Sequence, residues 1–369
     1  MSKLIVEIVK ISELLPIEKA DRLELAIVKG WQCVVQKGQH KIGDLVIFCP
    51  PDSIIPQNLI EKYKLEFLKK NSRVDTIKLR GVISQGLILD IPSDFLDPIE
   101  GQDVAELLGI IKYESPEPKY SCGGGQQQKK KKYNPLFDKY TDIDNINNFN
   151  SILQEGEEVV ITEKIHGCNA RYANLPVDTN KLWGWILKFF GKDYEFVYGS
   201  HEIQKKWINI YKGFYKEDIW GKIAKKYKFS EWLPKDYIIY GEIYGKGIQE
   251  LIYGLDDIEF RIFDVKYKGR YLNEDEKRDV ISDWINENSI HGTLPLLLGV
   301  PVLFRGNYND GDRKHYAKGN STIPGAENQI REGCVIKPIV EREQRPLGRV
   351  ILKSINPEYL LQKNRTEFH

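Results

Sequence analysis

The chain has 369 residues and a formal net charge of +1, so no global field draws it to nucleic acid, and any such site needs local basic patches. Hydrophobic residues make up 41% and charged residues 29%, which is typical of a soluble globular protein and excludes a mainly disordered chain. The length predicts about two domains.

The cysteines and apolar runs indicate the compartment. The cysteines show no CxxC pair and no regular spacing, which is typical of reduced thiols rather than of a disulfide framework or a zinc site. No apolar run approaches the roughly 18–20 residues of a membrane span. The N-terminal MSKLIVEIVK lacks the regions of a signal peptide. We therefore expect a cytoplasmic protein without membrane contact.

Residues 1–113 read as short strands joined by turns, in the segments LIVEIVKI, RLELAIV, WQCVVQ, DLVIFCP and LRGVISQGLIL. Many short strands with little helix predict a small β-barrel. Residues 63–80 mix Lys and Arg with Tyr and Phe, which fits either a solvated face or a nucleic-acid contact.

Residues 114–134, ESPEPKYSCGGGQQQKKKKYN, predict a flexible linker, because such Pro, Gly, Gln and Lys runs cannot bury a core. The four lysines in this segment fit either a solvated tether or a phosphate contact.

Residues 135–369 predict an α+β domain with antiparallel sheets, because strands do not alternate regularly with helices. We predict helices near 202–228 and 274–290, and we expect the aromatic residues of the first to be core rather than a base-stacking platform. The predicted strands cover 157–163, 195–199, 237–243, 258–264, 333–339 and 349–355.

Several of these strands carry or end in charged residues that an ordinary core would exclude. They are Lys164, Glu242, Asp264, Glu332, Lys337 and Lys353. The amine of Lys164 is either solvated at a sheet edge or placed there for chemistry. Together the residues suit attack of a lysine amine on a nucleotide α-phosphate.

That chemistry needs a deprotonated amine, cations beside the phosphate, oxygen ligands for a metal ion and a ring to stack on the base. Lys337 and Lys353 are the candidate cations and Phe263 is the candidate ring. Glu332 and Glu242 are the candidate metal ligands, with Asp264 either orienting a partner or binding a second metal ion.

One spacing does not fit a regular strand with both charged side chains on the same face. Glu332 and Lys337 are five residues apart, which on a regular strand sends their side chains to opposite faces. Either Glu332 precedes the strand or a bulge at Gly333 redirects it.

The segments EKIHGCNAR, YGE, IFD, EGCVIKP and ILKSI resemble, in order, motifs I, III, IIIa, IV and V of covalent nucleotidyltransferases, namely ATP-dependent DNA and RNA ligases and mRNA capping enzymes. The KxHG form of motif I resembles RNA ligases. ADRLELAIVKGW, GDLVIFCPPDSIIP and KLRGVISQGL resemble the OB domain of the nick-sealing RNA-ligase branch that places this domain first. The resemblance implies an OB-type β-barrel followed by a nucleotidyltransferase domain with antiparallel sheets and flanking helices.

The resemblance also assigns roles to individual residues. Lys164 would be the nucleophile that takes AMP, Lys337 and Lys353 would contact the α-phosphate, and Phe263 would stack on adenine. The other implied roles are nucleotide contacts for Glu163, Arg171 and Glu242, metal binding for Glu332, Glu242 and Asp264, and support of strand sealing for Asn169.

Two motifs depart from the family pattern. Ser200 and His201 stand where motif Ia often has an arginine, which puts any role for His201 in doubt. His166 replaces the Asp of KxDG and so removes one possible metal ligand.

The implied activity is ATP-dependent sealing of a 5′-phosphate to a 3′-OH through lysyl-AMP, with Mg²⁺ or Mn²⁺. The implied substrate is a nick in an RNA or RNA–DNA duplex with a ribonucleotide on the 3′-OH side, in RNA repair by a monomer. Lys78 and Arg80 are the predicted duplex contacts on the OB domain. Two alternatives stay open: a capping-type guanylyltransferase that uses GTP, and a non-catalytic nucleic-acid-binding relative.

Overall fold

The computed structural model describes residues 4–93, 95, 97–113, 134–180, 182–206, 218–289, 298–362 and 365–367. The predicted linker lies outside the described residues except for Asn134. Most of the aromatic residues of the predicted 202–228 helix also lie outside them, in 207–217.

The N-terminal part is built from short antiparallel strands, as predicted. They are β1 Glu7–Lys10, β2 Glu13–Pro16, β3 Leu23–Val28, β4 Trp31–Gln36, β5 Leu45–Cys49, β6 Ser53–Ile54, β7 Thr76–Leu79, β8 Val82–Gln85, β9 Leu87–Leu89 and β10 Ile111–Lys112, with helices α1 Gln57–Lys62 and α2 Ala105–Leu108. One sheet has the order β1-β5-β9 and another β2-β3-β4. Alternate residues Trp31, Cys33 and Val35 of β4 point into the core, which is the period-2 pattern of a half-buried strand.

The β7–β8 hairpin projects from this barrel. Arg80 and Gly81 form its tip with φ values of 48° and 87°, the left-handed pair that a two-residue hairpin turn requires. Lys78 and Arg80 are both exposed there.

The C-terminal part contains fourteen of the described strands. They are β11 Asp144–Asn145, β12 Glu158–Lys164, β13 Cys168–Pro176, β14 Tyr194–Gly199, β15 Gln204–Lys206, β16 Tyr237–Gly245, β17 Ile258–Tyr267, β18 Arg270–Tyr271, β19 Leu298–Gly299, β20 Val302–Asn307, β21 Gly333–Pro338, β22 Glu343–Gln344, β23 Gly348–Arg349 and β24 Leu352–Ile355. The helices are α3 Leu182–Phe189, α4 Ile219–Lys226, α5 Phe229–Trp232, α6 Glu274–Ser289, α7 Asp310–Ala317 and α8 Pro357–Leu360.

Two large sheets face each other across a cleft. The smaller has the order β11-β24-β21-β12-β20, and the larger has β15-β14-β13-β16-β17-β18 with β19 beside β17. Residues such as Ile243 and Phe260 on the outer face of the larger sheet pack with α4, α5 and α6. Its inner face packs residues such as Tyr240 against Ile351 and Val335 of the smaller sheet. Burial on both faces explains why β16, YIIYGEIYG, reads as a nearly continuous apolar run.

This layout confirms the predicted α+β fold, the strands and the helix near 274–290. The predicted helix over 202–228 is confirmed only in part, because 204–206 is the edge strand β15 and α4 begins at Ile219. The described cysteines Cys33, Cys49, Cys168 and Cys334 are free thiols. No helix among the described residues is long and apolar enough to cross a membrane.

Candidate active site

Lys164 lies at the end of β12, which is an interior strand between β20 and β21. The sheet-edge explanation for this lysine is therefore wrong. Its ammonium forms an ion pair with the carboxylate of Glu332, and only 14% of the Lys164 side chain is exposed. The fold has placed this amine in a semi-enclosed cleft.

Glu332 immediately precedes β21. Its side chain therefore does not follow the alternation of side chains along the strand, which explains its five-residue spacing from Lys337. Its carboxylate is buried, and its Oε2 lies 3.3 Å from Nδ1 of His166. Gly333 follows it with a φ of 156°, and a Cβ there would lie 2.2 Å from the carbonyl oxygen of Ser354. A side chain at Gly333 would therefore clash with the backbone of β24, the strand paired with β21 beside Glu332.

Gly167 of the KxHG segment allows β13 to approach β16. A Cβ at Gly167 would lie 2.2 Å from the carbonyl oxygen of Ile243 and 3.0 Å from Cγ of Glu242. The glycine therefore brings Glu242 to the lysine side of the cleft.

Glu242 lies directly opposite Asn169 in the β13–β16 pair. Burial raises the pKa of Glu242 to about 8, the nearby Lys164 ammonium lowers it, and Glu332 raises it further. Oδ1 of Asn169 is buried without a hydrogen-bond partner among the described residues. Two carboxylates thus share the space around one ammonium.

Lys353 on β24 completes this cluster. It lies opposite Val335 of β21, so it shares the face of the smaller sheet that carries Lys164. Its ammonium is buried and donates to the carbonyl oxygen of Glu367 at 2.5 Å. Burial, followed by repulsion from Lys164, lowers the pKa of Lys353, while Glu367 and Glu332 raise it.

A β-bulge at Phe263 lets the consecutive residues Phe263 and Asp264 both face the inner core. Tyr240 pairs with Asp264 while the next residue, Gly241, pairs with Ile262, so Phe263 is the extra residue. Phe263 packs against the inner core, and its ring lies 4.6 Å from the ring of Tyr140.

Lys337 does not meet Lys164. It lies four residues along β21 from Gly333, the partner of Lys164, which is roughly 13 Å of strand. Its ammonium is 2.7 Å from Asp264 and 3.3 Å from Glu274. The structure thus shows Lys337 in a cluster with carboxylates, and its contact with the α-phosphate stays a prediction.

Asp264 is likewise bound within the fold. Its carboxylate is buried and accepts from Lys337 at 2.7 Å, from Arg349 at 2.6 Å and from the Tyr140 hydroxyl at 2.6 Å. Burial raises the pKa of Asp264, but Arg349 and Lys337 outweigh it and hold the pKa far below its usual value. Of its two predicted roles, orienting a partner agrees with these contacts, while metal binding by Asp264 stays a prediction. Among the described residues, no group of three His, Cys, Asp or Glu side chains is arranged to hold a metal ion.

Arg171 and Glu163 have mainly structural contacts. Arg171 is buried, donates to the carbonyl oxygens of Phe137 at 2.7 Å and Ser200 at 2.9 Å, and its pKa is lowered to about 10 by burial. Glu163 is on the other face of β12 from Lys164, where its carboxylate accepts from Ser321 and Thr322. The backbone N–H of Glu163 donates to the carbonyl oxygen of Pro301 at 2.9 Å.

Comparison with known proteins identifies the family. The sequence model of RNA ligase matches residues 157–355, which hold the two sheets and the cleft, and an OB-fold domain model matches residues 5–91. The chain belongs to the RNA ligase family. No curated protein sequence matches it.

Solved RNA ligases share its fold. A Naegleria gruberi RNA ligase mutant with ATP and Mn is 24% identical with a TM-score of 0.72, and the match covers 98% of this chain and 100% of that one. A second mutant of that ligase, with AMP and Mn, gives the same values. The same ligase with PPi has a TM-score of 0.70 at 24% identity, covering 97% of this chain and 98% of that chain.

Sequence reasoning missed several residues around the family's cleft. Tyr140, Arg365 and Glu367 lie outside the strand pattern and carry no motif, so no signal identified them. Arg349 does stand in the charged strand segment GRVILK, and a search for charges on buried strands would have found it.

The raised pKa of Glu242 predicts a pH-dependent stability. The unfolded carboxyl ionises near its ordinary pKa of 4.5 while the folded one keeps its proton to about pH 8, so rising pH between these values favours unfolding. Glu242→Gln lacks this titration. From pH 5 to pH 8, we expect the unfolding free energy of the variant to rise by about 3–4 kcal/mol relative to that of the wild type, measured by urea denaturation. A constant difference across this range would contradict the assignment.

Proposed function

We propose that this protein is an ATP-dependent RNA ligase with Lys164 as the adenylylated nucleophile. The observation that carries the proposal is the burial of Lys164 on an interior strand, facing Glu332, Glu242 and Lys353. An inert ammonium gains little from such a site, since burying charge costs free energy.

The reaction has three steps. The neutral amine of Lys164 attacks the α-phosphorus of ATP, the bond to the β-phosphate oxygen breaks, and pyrophosphate leaves. The 5′-phosphate of the polynucleotide then attacks the phosphoramidate and takes AMP. Finally the 3′-OH attacks that 5′-phosphorus, closing the phosphodiester and releasing AMP.

The chain's own residues supply the charge that these steps need. Glu332 holds the Lys164 amine in place and is the nearest acceptor for its proton. Lys353 faces the same space and offsets the negative charge that develops on the α-phosphate. Phe263 offers a ring for adenine, Asn169 lies beside Glu242 for the sealing step, and the backbone at Glu163 reaches the base.

The donor set fits Mg²⁺ or Mn²⁺ held by Glu332 and Glu242. Both are hard oxygen ligands, and their mutual repulsion, which helps to raise the pKa of Glu242, is relieved by a divalent cation. When bound, the ion neutralises phosphoryl oxygens during transfer. Arg171 is proposed to shape the nucleotide pocket through the carbonyls it holds.

The proposed substrate is a nick in an RNA or RNA–DNA duplex with a ribonucleotide on the 3′-OH side. The OB domain, residues 1–113, would grip the duplex through exposed residues such as Lys78 and Arg80, with 114–134 as linker and 135–369 as catalytic domain. We further propose a cytoplasmic monomer that acts in RNA repair.

Labelling with α-labelled ATP or GTP and Mn²⁺ or Mg²⁺, followed by denaturing electrophoresis, tests the nucleophile. Wild type should retain label from ATP, and Lys164→Ala should retain none. Lys226→Ala is the matched control, since Lys226 forms a similar pair with Glu259 on the larger sheet. Label from GTP would instead favour a capping-type guanylyltransferase. No label on protein free of bound AMP would favour a non-catalytic relative.

Nick preference is tested separately with the labelled enzyme. Nicked duplexes that end in ribose or deoxyribose on the 3′-OH side are sealed in parallel. Faster sealing of the ribose end is expected, and equal rates would refute the preference while leaving lysine adenylylation intact.

A further inference from the structure

The segment Arg365–Glu367 lies beyond the last motif, yet it is buried. Thr366 and Glu367 are each 3% exposed and Arg365 is 7% exposed. The three residues lie between the OB barrel and the smaller sheet of the catalytic domain. Burying polar residues in this way costs free energy unless each is bonded, so their contacts indicate why they are there.

On the OB side the segment is bound by Asp52 and Arg73. Oδ2 of Asp52 accepts from the hydroxyl of Thr366 at 2.7 Å and from the backbone N–H of Glu367 at 2.6 Å. Oδ1 of Asp52 accepts from Nε of Arg73 at 2.8 Å, and Nη2 of Arg73 donates to the carbonyl oxygen of Arg365. These bonds fix the backbone of the segment and not only its side chains.

On the catalytic side the same segment holds Lys353. The carbonyl oxygen of Glu367 accepts from the Lys353 ammonium at 2.5 Å, and the Glu367 carboxylate accepts from Asn145 at 2.5 Å. One carbonyl takes one of the three N–H donors of an ammonium. The contact therefore fixes the position of the Lys353 ammonium.

Arg365 extends the network to the nucleophile. Its Nη1 lies 3.2 Å from Nε2 of His166. Nδ1 of His166 lies 3.0 Å from the Tyr359 hydroxyl and 3.3 Å from the Glu332 carboxylate that pairs with Lys164. A short chain of contacts thus runs from the OB barrel to both lysines of the cleft.

We propose that Arg365–Glu367 is a positioning segment for Lys353 and His166, held in place by Asp52, so that the OB barrel controls lysine adenylylation as well as gripping the polynucleotide. This inference rests on the proposed function. The segment and Asp52 touch no reacting atom. They act through Lys353 and His166, and small displacements of groups that contact a transferring phosphate slow reactions strongly.

A segment that only held the two domains together would give a different result. Weakening it would lower the fraction of folded protein, and the folded remainder would react at the normal rate. A positioning segment instead affects the reaction of folded protein, and it lowers the maximal rate more than it raises the ATP concentration for half-saturation.

The test uses Asp52→Ala, Thr366→Val and Thr366→Ser in the full chain, with Asp103→Ala as the control. Asp103 is an OB carboxylate that bonds the N–H groups of Val6 and Ala105. The measurements are the single-turnover rate of lysyl-AMP formation at several ATP concentrations and the thermal midpoint. Thr366→Val removes one hydroxyl at nearly constant volume, so it keeps the test valid if Asp52→Ala does not fold.

We expect Asp52→Ala to lower the maximal rate about tenfold and Thr366→Val about threefold, with the half-saturating ATP concentration unchanged. Thr366→Ser and Asp103→Ala should react like wild type. Wild-type rates in folded Asp52→Ala and Thr366→Val, or losses that match only the unfolded fraction, would overturn this inference alone. Absence of label on wild type would overturn the proposed function, and this inference with it.

Discussion

Glu332→Gln is expected to lower the rate of lysyl-AMP formation by about 10²- to 10³-fold while the protein stays folded. The carboxylate is 1% exposed and pairs with Lys164, and it also lies beside His166. Glutamine keeps the volume of the side chain but loses its charge, so it can neither take a proton from the amine nor serve as a strong metal ligand. The labelling assay at saturating ATP gives the rate, and circular dichroism checks the fold.

Glu259→Gln is the matched control for this experiment. Glu259 lies on β17 and pairs with Lys226 at 2.7 Å. Substitution of Glu259 therefore also breaks a carboxylate–lysine pair, but outside the candidate site. It should keep the wild-type rate. A rate for Glu332→Gln within about threefold of wild type would show that the buried pair with Lys164 is structural, because proton transfer alone contributes more than this.

Asp264→Asn is expected to destabilise the protein by about 3–5 kcal/mol. The carboxylate compensates both Lys337 and Arg349 and accepts from Tyr140, all within the core between the two sheets. The neutral amide leaves two buried cations short of negative charge, and it places an amide N–H₂ group against one of these donors. Urea denaturation of the variant and the wild type measures the difference.

Lys337→Met separates the structural role of this cluster from a catalytic one. Asp264 keeps Arg349 as its partner in this variant, so we expect a smaller loss of stability than in Asp264→Asn. Below its melting temperature the variant should still form lysyl-AMP within about tenfold of the wild-type rate, since remote changes act only through positioning. Complete loss of labelling in folded Lys337→Met would restore a catalytic role for Lys337. A fully stable Asp264→Asn would show instead that the ion cluster contributes little.

The chemistry of the cleft was accessible from the sequence because it depends on residue types in a fixed order. A lysine, a glutamate or a phenylalanine on an otherwise apolar strand stands out against its neighbours, and this is how Lys164, Glu242, Phe263, Glu332 and Lys353 were found. The β-rich first part and the α+β second part were accessible for a similar reason, since strand alternation and turn residues are local properties.

The distribution of those residues in space was not accessible. Lys337 and Lys353 look alike in the sequence, since each is a lysine on a strand that follows Glu332. All three lysines lie on one face of the smaller sheet, where Lys337 is four residues along β21 from the partner of Lys164 and Lys353 lies two strands from β12, level with Thr162. Only the arrangement of the side chains brings the Lys353 ammonium within electrostatic reach of Lys164. Asp264 was predicted either to orient a partner or to bind metal, because the sequence does not show its two cationic partners. One partner comes from β21 and the other is Arg349, and only the packing of one sheet on the other brings them together.

By itself, the sequence determined the fold class, the candidate lysine Lys164 and the class of chemistry, because each of these follows from local patterns and from motifs in a fixed order. The tertiary structure decided which charges share the cleft, which neutralise one another in the core, and that Arg365–Glu367 joins Asp52 to Lys353. These contacts link residues as far apart as Asp52 and Glu367. Their partners are set by sheet register and domain packing, and no local pattern in the chain records either.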